Sequence, residues 1–121
     1  MGGVIGFVKK TDCVMDLFFG TDYHSHLGTK RGGLCVLEEG GFNRSIHNIE
    51  NAPFRSKFEE DLEGMKGNAG IGAISDADPQ PLTVYSRHGD FAITTVGRIN
   101  NKEDIVAELL KDRPSQFMSM S

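Results

Sequence analysis

The sequence predicts an α+β domain with a mostly antiparallel sheet, and three observations support this. Short apolar runs of strand length alternate with segments in which apolar residues recur every three or four positions, the spacing of a helix face. The 15 glycines among 121 residues mark many tight turns, which favour short strands over a helical bundle. The elements follow in the order strand, helix, strands, helix, strands, helix, without an internal repeat, as expected for an α+β domain.

In the first half of the chain, residues 4–8 form an apolar run between glycine and lysine and are predicted to be a strand. Thr11 or Asp12 is the expected cap of a helix that ends at or before Gly28. Two further strands are expected around the Glu39-Gly40-Gly41 turn. They are a buried run at 33–37 (GLCVL) and a partly alternating segment at 42–49.

In the second half, a helical stripe at Phe54, Phe58 and Leu62 predicts a helix closed by Gly64. Residues 69–74 form an apolar strand, and the two prolines that follow predict a turn. A hairpin is then predicted, with strands at 82–85 and 91–95 around His88-Gly89-Asp90. The last predicted element is a helix that is capped by Asn100 or Asn101 and stopped by Pro114. One face of this helix carries Ile105, Val106, Leu109 and Leu110.

Composition excludes several function classes. The chain is 38% hydrophobic and 25% charged, typical of a globular domain, and its net charge of −4 offers no basic surface for nucleic acid. It has no apolar stretch long enough to cross a membrane, and its first residues lack the pattern of a signal peptide. The two cysteines have no metal or redox spacing, so reduced thiols in a cytoplasmic protein are expected.

Three segments of the chain resemble the glutamine-hydrolysing domain of amidophosphoribosyltransferases. They are DLFFGTDYHSHLGTKRGGL at 16–34, GNAGIGAIS at 67–75 and VGRINNKEDIVAELL at 96–110. The resemblance implies a class II glutamine amidotransferase domain, which is a four-layer αββα sandwich of the N-terminal-nucleophile type. Such domains are about twice as long, so residues 1–112 are expected to be a partial domain and residues 113–121 a polar tail. No phosphoribosyltransferase part is present in this sequence.

The residues at the family's functional positions are degenerate. Gly2 stands where the resemblance implies the nucleophilic cysteine, and Leu27 stands where it implies the arginine of an HRG turn. Ser75 replaces the arginine that binds the substrate carboxylate, with the repelling Asp76 beside it. Val96 and Gly97 stand where the resemblance implies the Asn-Gly pair that binds the oxyanion. The backbone N–H of the glycine is kept, and the side-chain amide of the asparagine is lost. Without a thiol or hydroxyl no covalent intermediate forms, so no glutaminase activity is expected.

Other candidate sites have simpler explanations. His24 and His26 are expected at a helix end, where side chains two residues apart diverge and hold no metal. Cys35 lies in an apolar run, where burial makes a thiol inert, whereas Cys13 lies near a helix N-terminus, which lowers a thiol pKa. Turn formation and strand packing account best for the glycines that match the family, Gly3, Gly6, Gly70, Gly72 and Gly97. A relic site that still binds an amino-acid-like ligand is the alternative interpretation.

Two functional hypotheses remain open. The first is a degenerate glutaminase domain of a purine-biosynthesis-type protein, with no cofactor, metal, nucleic-acid or membrane partner. The second is a stand-alone assembly or ligand-binding protein on the same scaffold. Because half a sandwich leaves strand edges and an apolar face uncovered, we expect a homo-oligomer, with a dimer through residues 82–97 as its commonest form.

Overall fold

The structure is a computed structural model that describes residues 2–27, 30–76, 78–95 and 101–112. Within them, three helices and six strands follow one another in the predicted order. Their bounds are β1 Gly3–Val8, α1 Val14–Tyr23, β2 Arg31–Glu38, β3 Gly41–Asn48, α2 Phe54–Leu62, β4 Ala69–Ser75, β5 Leu82–Ser86, β6 Gly89–Ile93 and α3 Lys102–Asp112, with a short 3₁₀ helix at Ser25–Leu27.

All strand pairings that the structure describes are antiparallel, which confirms the predicted α+β class. The main sheet has four strands in the order β1-β4-β2-β3, and β5 pairs with β6 in a separate hairpin. Strand β2 lies between β4 and β3 in the sheet. Because of this central position, residues 32–36 are all buried, in keeping with the continuous apolar run in the sequence. A helix-covered main sheet and a second small sheet are therefore the observed arrangement.

One face of the main sheet is covered by α1 and α2. Helix α1 packs on β1, β4 and β2, while α2 packs on α1 and β3. Apolar residues at helical spacing supply this core from both helices, and the strands add residues at every second position. The buried cluster consists of Val14, Leu17, Phe18, Leu34, Val36, Phe54, Phe58, Met65 and Ile74.

Glycines on β4 allow α1 to approach the sheet. A Cβ atom on Gly72 would lie 2.0 Å from Thr21 Oγ1, and one on Gly70 would lie 2.9 Å from Leu17 Cδ2. These two glycines therefore serve packing, as expected. At Gly6, by contrast, a Cβ would meet its nearest atom, Ile71 Cγ2, at 3.5 Å, which is an ordinary contact. The packing explanation was wrong for Gly6.

Several boundaries differ from the prediction for local reasons. Helix α1 has Cys13 at its N-cap position, although Asp12 still accepts a hydrogen bond from the Val14 amide at 2.9 Å. In the hairpin the turn lies at 87–88, because Gly89 pairs with Ser86 and extends β6, and β6 ends at Ile93 rather than at 95. The predicted cap Asn100, the stop at Pro114 and the tail at 113–121 lie outside the described residues.

No helix in the described part of the chain is both long enough and apolar enough to cross a membrane.

Candidate functional site

Gly2 and the end of β4, which the family resemblance singled out, lie at the same end of the main sheet. The last pairs of the register are Gly3 with Ile74 and Arg31 with Ser75. Gly2 precedes the first of these pairs, so it lies at the end of the sheet where β4 leaves at Ser75 and Asp76. Antiparallel pairing thus joins positions that are more than seventy residues apart in the sequence.

The side chains available at this end are polar but include no nucleophile from β1. Gly2 contributes only backbone. Ser75 and Arg31 face each other across β4 and β2, and both are partly buried, as is Asp76. Arg31, Ser75 and Asp76 all have interaction partners. The chemistry that remains here is hydrogen bonding and charge pairing, with no group on β1 that can form a covalent bond to a substrate.

The other positions that the resemblance singled out are only partly described. The backbone of Leu27 ends the 3₁₀ helix, which is separated from the start of β2 by three residues. Val96 and Gly97 lie outside the described residues. The register therefore brings together Gly2, Ser75 and Asp76.

Neither cysteine is an activated nucleophile. Burial raises the pKa of Cys13, and the nearby carboxylate of Asp12 raises it further, against the smaller effect of a backbone hydrogen bond. The expectation that the helix N-terminus lowers this pKa was wrong, because the thiol lies in the core beneath the helix start. Burial also raises the pKa of Cys35, to about 11, as its place in an apolar strand predicted. Both thiols are protonated at neutral pH.

The two histidines near the end of α1 contact one aromatic ring. His24 and His26 meet Tyr23 edge to face, with ring centroids 5.3 and 6.4 Å away. In the described ranges, no group of three or more histidine, cysteine, aspartate or glutamate side chains is arranged to hold a metal ion.

A serine–histidine–aspartate cluster between β3 and α2 was missed by sequence reasoning. Asp61 Oδ2 lies 2.5 Å from both Ser45 Oγ and His47 Nε2, and the His47 ring contacts Phe58 edge to face. In a hydrolytic triad the carboxylate binds Nδ1 and leaves Nε2 to the serine. Here the serine hydroxyl donates to the carboxylate itself, so this cluster fastens α2 to β3 and does not activate Ser45.

Asp61 is held in its ionised form by this cluster. Burial raises its pKa, but the hydrogen bonds from Ser45 and His47, together with the charge of His47, lower it by more. The sequence signal was available in part, because Ser45 and His47 are two residues apart and share a strand face. The missing information was that Asp61, on the next helix, lies above that face.

A second site is an open cavity of about 390 Å³ between the hairpin and the face of the main sheet that α1 and α2 do not cover. Its floor comes from alternate residues of the four strands and its other wall from β6. The hairpin is held nearby because Arg44 Nε donates a 2.6 Å hydrogen bond to the Pro81 carbonyl. This cavity lies at the opposite end of the sheet from Gly2.

The comparisons with known proteins identify no family. No protein-family profile matches the chain, and no curated protein is significantly similar to it.

Proposed function

We propose that this chain is an amidophosphoribosyltransferase-like class II glutamine amidotransferase domain that has lost its glutaminase chemistry and belongs to a longer purine-biosynthesis-type protein. Its four-layer αββα architecture and cytoplasmic location are part of the proposal. The observation that carries it is the antiparallel register, which places Gly2, Ser75 and Asp76 at one end of the sheet. Gly2 is thereby brought close in space to Ser75 and Asp76, which lie more than seventy residues away in the sequence.

The proposed loss of activity follows from the chemistry of those positions. Glutamine hydrolysis of this type needs a side-chain nucleophile on the first strand, and Gly2 has no side chain. It also needs a cation for the substrate carboxylate, and the family's arginine position holds Ser75 next to the anionic Asp76. The two buried thiols are protonated and do not substitute for the missing nucleophile. A domain of this kind serves packing, regulation or binding of an amino-acid-like ligand.

Glutamate formation at millimolar glutamine is expected to equal that of the buffer blank. A Gly2→Cys variant with Met1 removed is expected to stay inactive, because catalytic groups act as a unit and one restored member gives little. Labelling of the new thiol with a glutamine-mimicking electrophile, and competition by glutamine, then reports whether substrate binding persists. Gly40→Cys is the matched control, because position 40 faces open space far from the sheet end.

Two results would contradict the proposal. Turnover above the blank that disappears in Cys13→Ser would move the nucleophile to Cys13. Full activity in Gly2→Cys would show that the remaining site is intact and the domain is not degenerate. Equal labelling of the two introduced thiols, without competition by glutamine, would remove the ligand-binding relic from the proposal.

The alternative is a stand-alone assembly or ligand-binding protein, which the cavity beside the hairpin favours. A natural reading frame that continues into a phosphoribosyltransferase domain would decide for the first proposal over this one. Both are compatible with a homodimer through the hairpin, whose strand β6 carries the half-exposed side chains of Phe91 and Ile93. Exposed apolar strand faces and free strand edges favour pairing between copies.

Light scattering at micromolar concentration is expected to give the mass of a dimer. Ile93→Lys should shift it towards the monomer, because a charge on an apolar interface is costly to bury. Tyr23→Lys is the matched control, since it adds the same charge at an exposed aromatic residue on α1. A wild-type monomer with sharp, dispersed amide resonances would show that the chain closes its own core, which would count against the partial-domain interpretation.

A further inference from the structure

The cavity between the main sheet and the hairpin is walled almost entirely by apolar groups. Val8, Ala69 and Leu37 lie side by side on its floor, one from each of three neighbouring strands, and Phe42 of β3 continues this row. Ile71 lies in the next row, between Gly6 and Cys35. Phe91 and Ala92 of β6 line it from the hairpin side. Its volume of about 390 Å³ is within the range of small-molecule sites.

Small residues on the floor leave this space unfilled. A Cβ atom on Gly6 would touch only Ile71 Cγ2 and the Gly70 carbonyl, at 3.5 and 3.6 Å. Ala69 adds another short side chain to the floor. The opposite face of the sheet is closely packed against α1, so the open space is specific to this face. Val8 is 87% exposed and Leu37 51% exposed, so an apolar occupant would remove a large apolar surface from water.

Among the described residues, one charged side chain lines the cavity. Asp90 of β6 lines the cavity beside Phe91 and Ala92 and is exposed to solvent. Cys35 contributes a neutral thiol to the floor. Arg44 pairs with Cys35 in the register, but its guanidinium is directed to the Pro81 carbonyl and does not line the cavity. The polarity of the site is therefore that of an apolar slot with a carboxylate at its exposed rim.

We propose that this cavity binds a small amphiphilic cation, a primary amine with an alkyl or aryl body. The body lies on Val8, Ile71 and Leu37, and the ammonium group faces the carboxylate of Asp90. This site is separate from the Gly2 end of the sheet and does not depend on the degenerate glutaminase assignment. It is also chemically different from an amino-acid site, because no cation of the lining faces a ligand carboxylate.

The test measures binding of hexylamine, octylamine and decylamine, with octanol and octanoate as partners of matched length. Affinity is expected to rise about fourfold for each added methylene that is buried. Octylamine should bind about two- to fivefold tighter than octanol, the gain of an exposed ion pair, and octanoate should bind more weakly than both. Calorimetry gives the affinities, and amide shifts at residues 69–71 and 90–92 locate the ligand.

Two kinds of variant separate charge from shape. Asp90→Asn should remove the preference for octylamine over octanol and leave octanol affinity unchanged. Gly6→Val should fill the cavity and weaken binding of every ligand at least tenfold, while Gly40→Ala, in open space, should have no effect. If Gly6→Val does not fold, Ala69→Leu fills the same space from β4.

Three results would overturn the proposal. The first is the absence of saturable octylamine binding with shifts at these residues. The second is equal affinity for octanoate and octylamine, which would make the site an unselective apolar surface. The third is a ligand affinity that falls as protein concentration rises, together with a dimer that Gly6→Val dissociates, which would assign the cavity to a second copy of this chain.

Discussion

Replacing Phe58 by alanine is expected to lower the free energy of unfolding by about 3–5 kcal/mol, as for other buried aromatic residues. The side chain is fully buried and stacks on Phe54 with a centroid distance of 4.3 Å. Its edge contact with His47 also positions the histidine that binds Asp61. The loss therefore combines a cavity in the core with a weakened connection between α2 and β3.

Chemical denaturation of wild type and variant measures this effect. Phe19→Ala is the matched control, because the Phe19 ring is about half exposed on α1 and contacts Arg55 from outside the core. Its expected cost is about 1 kcal/mol or less. Equal destabilisation by Phe58→Ala and Phe19→Ala would contradict the burial of the Phe58 side chain between α2 and the main sheet.

The Gly72→Ala substitution is expected to cost about 2–3 kcal/mol, the upper range for overpacking in a well-filled core. The added Cβ would lie 2.0 Å from Thr21 Oγ1, and the hydroxyl is held in place by its 2.7 Å hydrogen bond to the Leu17 carbonyl. Helix α1 must then move away from β4. Gly6→Ala, on the other face of the sheet, is expected to change stability by about 0.5 kcal/mol or less.

A rescue experiment makes this prediction specific. Thr21→Ala removes the hydroxyl that the Cβ of an alanine at position 72 would contact. The double variant should therefore lose less unfolding free energy than the two single variants lose in total. For residues in direct contact the coupling energy is about 0.5–3 kcal/mol. Additive costs would show that the closeness of α1 and β4 is not what requires glycine at position 72.

The sequence shows which residues stand at positions 2, 75 and 76, but it does not show that these positions come together. Gly2, Ser75 and Asp76 could be identified one at a time from their neighbours along the chain. Their arrival at one end of the sheet depends on the register of β1 and β2 with β4, which is set by packing across the whole sheet. The pKa of Cys13 is a related case, because nearness to a helix start is local, whereas burial under that helix is not.

The order and type of the elements follow from the amino-acid sequence, because the helical or strand spacing of apolar residues is a local property. The stripe at Phe54 and Phe58 and the run at 33–37 were sufficient for α2 and β2. Other features depend on how the elements pack together: the sheet face that α1 covers and the contact between Asp61 and His47. Packing also explains why Gly6 borders an open cavity while Gly72 lies under a helix. A glycine in a strand looks the same in the sequence whether a neighbouring element packs closely against it or an open space lies beside it. Only the elements packed on that face of the sheet distinguish the two cases.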